Sequence, residues 1–204
     1  MTIDPDLLLA PAARLGVDVP ALTAVVAVES AGAGLVEGRP IIRLEVHHLW
    51  RRCTNAQQQL VDQRFKVEGP KSWEGHRYLD QHGAWVDLHQ AGPIGQKLEW
   101  EALTTAKRIN LPAAIESTSW GLGQILGDAW ARLGFTDVQA FVAAQYSTSG
   151  QLDTMATYIA VDPVLLTALR AHSWRSFAAV YNGKGKVDDY AGKLQAAYTK
   201  AGGV

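Results

Sequence analysis

Cys53 is the only cysteine among the 204 residues. An internal disulfide and a cysteine-based zinc cage are therefore both excluded, and the fold has to stand on packing. The composition permits that. Hydrophobic residues make up 48% and charged residues 19%, enough for a substantial core and too apolar for a disordered chain. The length suits one domain. Lys plus Arg is 19 and Asp plus Glu is 20, for a formal charge of -1. Such a balance argues against a protein built to coat nucleic acid or anionic lipid.

No window approaches the roughly 18 consecutive apolar residues of a membrane span. The apolar run 7–12 ends in small residues, but Asp4 and Asp6 lead into it without Lys or Arg, and it is too short for a signal peptide. Asp4-Pro5 reads instead as a helix N-cap followed by proline at the first helical position, with Gly16 closing that helix. The chain is expected to be made in a cytoplasm, with export requiring outside help.

Helical patterns dominate the rest. Pro20 opens a helix that stops where Gly32 and Gly34 appear, and 39–46 carries the clearest β-branched cluster, an expected strand or hairpin arm. Residues 53–96 are polar and Gln-rich and are the least legible stretch. Helices are expected over 97–109, 120–133, 137–147, 150–161, 163–171, 173–181 and 188–201, with Thr136 and Gln139 as a capping-box candidate. Neither a flexible linker nor a fixed-period repeat interrupts them.

Three clusters can carry chemistry. Leu22, Val25, Val26 and Glu29 share one helical face, so Glu29 ends an apolar stripe that must pack inward. A carboxyl there loses solvation, its pKa rises, and it becomes a ready general acid; lysozyme is the standard worked case of this logic. The same position also suits a carboxylate that merely caps or ion-pairs at a helix end. In SWGLGQIL (119–126), Gly121 and Gly123 allow close approach of backbone or ligand. Trp120 offers a flat face for a sugar ring, and Gln124 offers donor and acceptors for hydroxyl and acetamido groups. A plain helix start with glycines at a tight crossing satisfies the same residues. In VYNGKGK (180–186), Tyr181 and Asn182 can orient a carboxyl or hold a sugar, and Asn182-Gly183 is equally an ordinary turn.

In order, a Glu-Ser helix end, a Gly-Leu-x-Gln segment and Tyr-Asn-Gly resemble the lysozyme-like superfamily. The fuller resemblance is to the N-acetylmuramidase family common in phage endolysins. It rests on Val28-Glu29-Ser30, Gly38-Arg39-Pro40, Leu44-Glu45-Val46-His47 and Ser119 through Gly127. It continues with Gln151-Leu152, Trp174 with Phe177-Ala178, Tyr181-Asn182-Gly183, and Tyr190 with Lys193-Leu194. The match runs over roughly 15–200, with Leu44, Leu126 and Gly123 as departures and 53–96 matching least.

The resemblance implies a mainly α, lysozyme-like single domain over 1–204 with a small β element and no separate cell-wall-binding module. It implies a peptidoglycan hydrolase that cleaves between N-acetylmuramic acid and N-acetylglucosamine, with Glu29 as general acid. Glu45 matches the family's Glu-x-His with His47 and is the candidate second carboxylate; Glu37 is a weaker one, and a buried structural pair is the plainer account of His47. Gln124 and Tyr181 match positions lining the glycan cleft, with Ser119, Trp120 and Asn182 as cleft-wall or supporting residues. The rivals are a lytic transglycosylase on the same fold and a glycan-binding protein without activity.

No Gly-x-Ser-x-Gly elbow, His-Glu-x-x-His zinc helix or phosphate loop occurs. His47-His48 with Cys53 nearby offers too few ligands for a metal, so neither metal nor cofactor is expected. Arg39, Arg43, Arg51, Arg52 and Arg64 make a locally basic stretch suited to an anionic wall or simply to solvent. Seven tryptophans are more than a structural core of this size requires, and some are expected to face sugar. The expected partners are peptidoglycan glycan strands, with no nucleic acid and no membrane insertion. A monomer is expected that waits in the host cytoplasm until a holin gives it access to the wall.

Overall fold

Local caps set several of the helix boundaries. The computed structural model describes residues 3–30, 34–183 and 185–204. Among them the chain runs α1 (Asp6–Leu15), α2 (Val19–Ser30), β1 (Leu35–Val36), β2 (Arg39–Pro40), β3 (Ile42–Leu44), α3 (Val46–Arg52) and α4 (Asn55–Arg64). Next come β4 (Phe65–Val67), β5 (His76–Leu79), β6 (Trp85–Asp87), α5 (Gly92–Ile109), α6 (Leu111–Glu116), β7 (Thr118–Trp120) and β8 (Ile125–Leu126). The chain ends with α7 (Val138–Ala144), α8 (Thr148–Ala160), α9 (Pro163–Arg170), α10 (Trp174–Tyr181) and α11 (Val187–Lys200). The architecture is mainly α with small sheets, as expected.

Two compact units are distinguished. The first takes the described residues of Met1–Pro40, Gly121–Gly123 and Ala144–Val204. Its first helix starts at Asp6, with Pro5 at the cap position rather than the first helical one; Asp4 Oδ1 accepts from the Asp6 amide at 3.0 Å, and Gly16 closes the helix at φ 64° as expected. α2 begins at Val19, ahead of Pro20, because Asp18 Oδ1 accepts from the Ala21 amide at 2.7 Å. It ends at Ser30; Gly32 lies outside the described residues. Ala21, Leu22, Ala24, Val25 and Val26 are all buried, and α2 packs chiefly on α11. The Tyr198 hydroxyl of α11 donates to the other oxygen of Asp18 at 3.0 Å, tying the C-terminal helix to the start of α2. α1 lies on α8, and α10 on α9 and α11. β1 and β2 form a hairpin whose two loop residues, Glu37 (φ 50°) and Gly38 (φ 74°), take the left-handed geometry that hairpin twist favours.

The second unit takes Ile41–Trp120 and Gln124–Ala143. β7 is the centre of an antiparallel sheet in the order β3-β7-β8, with Leu44 opposite Thr118 and Ser119 opposite Leu126. β4, β5 and β6 form an antiparallel meander, and Ala102, Leu103 and Ala106 of α5 are buried. Three expectations are corrected here. The helix expected over 120–133 is instead the end of β7, the strand β8 and a 3₁₀ turn at Gly127–Ala129. Gly121 at φ 64° and Gln124 at φ 45° interrupt any helix. The strand or hairpin arm expected over 39–46 breaks into β2, which is an arm of the hairpin, and β3, and Val46 already belongs to α3. The cap of α7 is Asp137, whose Oδ1 accepts from the Ala140 amide at 2.7 Å, and not Thr136. The polar stretch 53–96 holds a helix with a reciprocal Thr54–Gln57 capping box, then the meander. Among the described residues no single helix is long and apolar enough to cross a membrane.

Candidate active site

Glu29 sits one turn beyond Val25 and Val26 on the inward face of α2 and is itself half-buried. Asn182 Nδ2 donates to its Oε1 at 2.8 Å. Burial raises the Glu29 pKa above the ordinary carboxylate value, and the Asn182 hydrogen bond pulls it part of the way back. The other side-chain atom of that amide, Asn182 Oδ1, is buried without a hydrogen-bond partner. Asn182 closes α10, and Gly183 at φ 77° turns the chain away directly after it. The expected turn at Asn182-Gly183 and the expected carboxyl-orienting amide are thus the same residues.

Tyr181 precedes it as the last residue of α10. Its ring stacks on Phe177 with centroids 5.2 Å apart and meets Tyr158 edge-on at 5.6 Å. Its hydroxyl donates to the Gly123 carbonyl at 3.0 Å. Burial above all, with Glu29 and Tyr158 adding to it, pushes the phenol well above its ordinary pKa, so it remains a neutral donor. The Tyr181-Asn182 pair therefore joins two segments of the first unit: the hydroxyl anchors the glycine loop and the amide holds the acid.

That loop is clasped from the other side by Gln151, which was legible in the sequence only as part of a helix start. Gln151 Oε1 accepts from the Leu122 amide at 2.8 Å, and its Nε2 donates to the carbonyls of Gln145 at 2.6 Å and Gly34 at 3.1 Å. A side chain at Gly34 would collide with Gln151 and Leu122. One at Gly121 would lie 2.8 Å from the Gln151 amide carbon, on backbone already at φ 64°. Both glycines are therefore demanded by the clasp.

The other expected site residues belong to the second unit. Trp120 is a correction: at 0% exposure it shows no face to a sugar, and its indole N–H donates to the Ile115 carbonyl while its ring meets Trp100 edge-on. As the end of a central strand it is core. Ser119 is nearly buried in the same strand, opposite Arg43. Gln124 is half-buried at φ 45°, a left-handed conformation unusual for glutamine. The exposed tryptophans are Trp50 and Trp73. Trp50 lines a groove of about 480 Å³ with His47, Arg51, Lys66 and Ser72. The basic stretch is largely engaged: Arg43 Nε donates to Glu45 Oε1 at 2.8 Å, Arg52 pairs with Asp128 and Glu116, and Arg64 donates to the Leu79 carbonyl at 2.9 Å.

Glu45 precedes the first residue of α3, and its Oε2 is buried without a hydrogen-bond partner. It faces His47 Nδ1 at 3.7 Å and His76 Nδ1 at 3.9 Å. His76 and His89, contributed by the meander and the segment that follows it, carry no motif that would assign them to this cluster from sequence. Glu37, the weaker carboxylate candidate, is exposed at the hairpin tip.

No curated protein sequence matches the chain. The structure is similar to the crystal structure of the Burkholderia AP3 phage endolysin, with a TM-score of 0.77 and 33% sequence identity over 98% of this chain and 72% of that one. The family described as N-acetylmuramidase matches residues 18–202, a span that takes in Glu29, the glycine loop, the Gln151 clasp and the Tyr181-Asn182 pair. The chain belongs to the N-acetylmuramidase family.

Proposed function

We propose that this protein is a peptidoglycan hydrolase that cleaves the β-1,4 bond between N-acetylmuramic acid and N-acetylglucosamine, with Glu29 as the general acid. The observation that carries the proposal is the half-buried Glu29 carboxyl held by Asn182. A carboxyl whose pKa is raised by burial keeps its proton closer to neutral pH and can deliver it to the leaving glycosidic oxygen. Tyr181 acts through the loop it anchors and Asn182 through the carboxyl it orients, so both are positioning residues. Gln124 and Ser119 are proposed to line the glycan path. The family match runs through both units, which supports reading them as one catalytic domain. As an endolysin, the protein would act as a monomer on its host's wall after a holin opens the membrane.

Water is the proposed acceptor, with Glu45 as the carboxylate that helps place it, since most glycosidases use a second carboxyl group. A transglycosylase would use the muramic 6-hydroxyl instead. Purified protein added to bacterial cell walls is expected to lower their turbidity; unchanged turbidity would leave only glycan binding. Mass spectrometry of the digest then separates the outcomes. Reducing muropeptides are expected, and products lighter by one water from the first time point would make the enzyme a transglycosylase.

A further inference from the structure

The His76–His89 contact in the second unit is incompatible with two neutral rings standing alone. His76 Nδ1 and His89 Nε2 lie 2.8 Å apart. His76 Nε2 is 2.8 Å from the Ser72 carbonyl, which can only accept, so that nitrogen carries the proton. His89 Nδ1 is 2.8 Å from Glu99 Oε1. The carboxylate already accepts the His89 amide on the same oxygen and the Leu44 amide on the other, both at 2.8 Å, so His89 Nδ1 is a donor as well. The nitrogens that remain, His76 Nδ1 and His89 Nε2, both present lone pairs to each other. A cation between them removes the conflict.

Two further donors point to the same place. Glu45 Oε2 and His47 Nδ1 are buried and lack hydrogen-bond partners, which is costly if left so. The ligand atoms of Glu45, His76 and His89 all lie within 4.8 Å of one another. Tetrahedral zinc, with bonds of 2.0–2.1 Å to nitrogen, spaces its ligands about 3.3 Å apart. The distances of 2.8, 3.9 and 3.7 Å observed here straddle that value. The outer shell is already in place, with Glu99 and the Ser72 carbonyl fixing the tautomers as partners of metal-bound histidines do. His89 is held at φ 67°, a conformation unusual for histidine that aims its ring at His76.

We propose that Glu45 Oε2, His76 Nδ1 and His89 Nε2 bind a divalent ion of the zinc class, with His47 facing the fourth coordination position. Two imidazoles and one carboxylate suit Zn²⁺ over Mg²⁺ or Ca²⁺, which prefer oxygen. Arg43 holds Glu45 Oε1, so the carboxylate binds through one oxygen. The ion fastens the end of β3 to the β4–β6 meander, and the groove lined by His47 and Ser72 gives it access. The reading of Glu29 as general acid does not depend on this site; an ion on Glu45 Oε2 would replace the water-placing role proposed for that carboxylate.

The test uses the whole chain, stripped with a chelator and titrated with ZnCl2 by calorimetry and with Co²⁺ by visible absorption. One ion per chain is expected, with the intense visible bands of tetrahedral Co²⁺ and a melting temperature that rises with Zn²⁺. His89→Asn keeps a residue tolerant of left-handed backbone and should weaken binding by more than about 100-fold, beyond the roughly 10–100-fold that losing an outer-shell partner costs. Glu29→Gln should bind zinc like the wild type even where it has lost lysis, so the two readings fail separately. Absence of saturable uptake of either ion by the folded wild type would mean that a shared proton alone joins the two rings. Wild-type affinity in His89→Asn would place any bound metal elsewhere. Either result overturns the proposal.

Discussion

Asn182 Nδ2 donates to Glu29 Oε1 at 2.8 Å although the two residues stand 153 positions apart. The hydrogen bond brings the end of α2 to the end of α10, which makes the state of one carboxyl depend on helices at opposite ends of the sequence. Its chemical sense is definite: an amide N–H favours the ionised carboxylate, and burial favours the neutral acid.

Removing the acid should separate activity from stability. Glu29→Gln cannot donate a proton, and wall lysis should fall on the order of 10²-fold or more. The same change should raise the melting temperature at neutral pH. The folded pKa lies above the unfolded one, so stability falls as pH rises from the unfolded value through the folded one. The gain of the variant should therefore vanish below about pH 4.5, where the carboxyl is protonated in both states. Full lysis with an unchanged melting curve would remove Glu29 from the mechanism.

Deleting the amide tests the opposing effect. Asn182→Ala takes away the contact that lowers the Glu29 pKa. The alkaline limb of the kcat/KM profile should move to higher pH while the maximal rate drops through lost orientation. A purely structural asparagine would lower stability and leave that limb in place.

Tyr181→Phe removes the donor to Gly123 while keeping the ring stack on Phe177. Stability should fall by about 1 kcal/mol, the net worth of a typical hydrogen bond. Turnover should fall by up to about 10²-fold through displacement of the loop. Circular dichroism melts beside turbidity kinetics measure the two losses. Several kcal/mol of destabilisation at full specific activity would make this tyrosine structural.

Gln151→Ala should be the most destabilising of these changes. It leaves the Leu122 amide and two carbonyls without their partner in a buried site, at about 1–3 kcal/mol for each group that cannot find water. Denaturant midpoints would report it, and Gln151→Glu should not restore the loss, because a carboxylate cannot donate to the Gly34 and Gln145 carbonyls.

Some of this architecture was legible before any coordinates, because its causes are local. A period of 3.6 puts Leu22, Val25, Val26 and Glu29 on one face whatever surrounds them, and Asp4 and Gly16 mark the ends of α1 through contacts within a few residues. The ordered motifs likewise carried the family, since each keeps its place along the chain. Other features were decided by partners distant in sequence. The stretch from Trp120 through β8 read as a helix because a central strand with Thr118, Ser119 and Trp120 all buried loses the alternation that marks a half-exposed strand. Trp120 read as a sugar platform because a residue's type does not say which side of the surface it occupies. Gln151 closes on a loop through backbone groups, and His76 reaches His89 and Glu45 only once sheet register and the left-handed turn at His89 are set. Hydrogen bonds to backbone and contacts between strands depend on which segments meet in space. That choice belongs to the energy of the whole packed chain and leaves no spacing in the sequence to read.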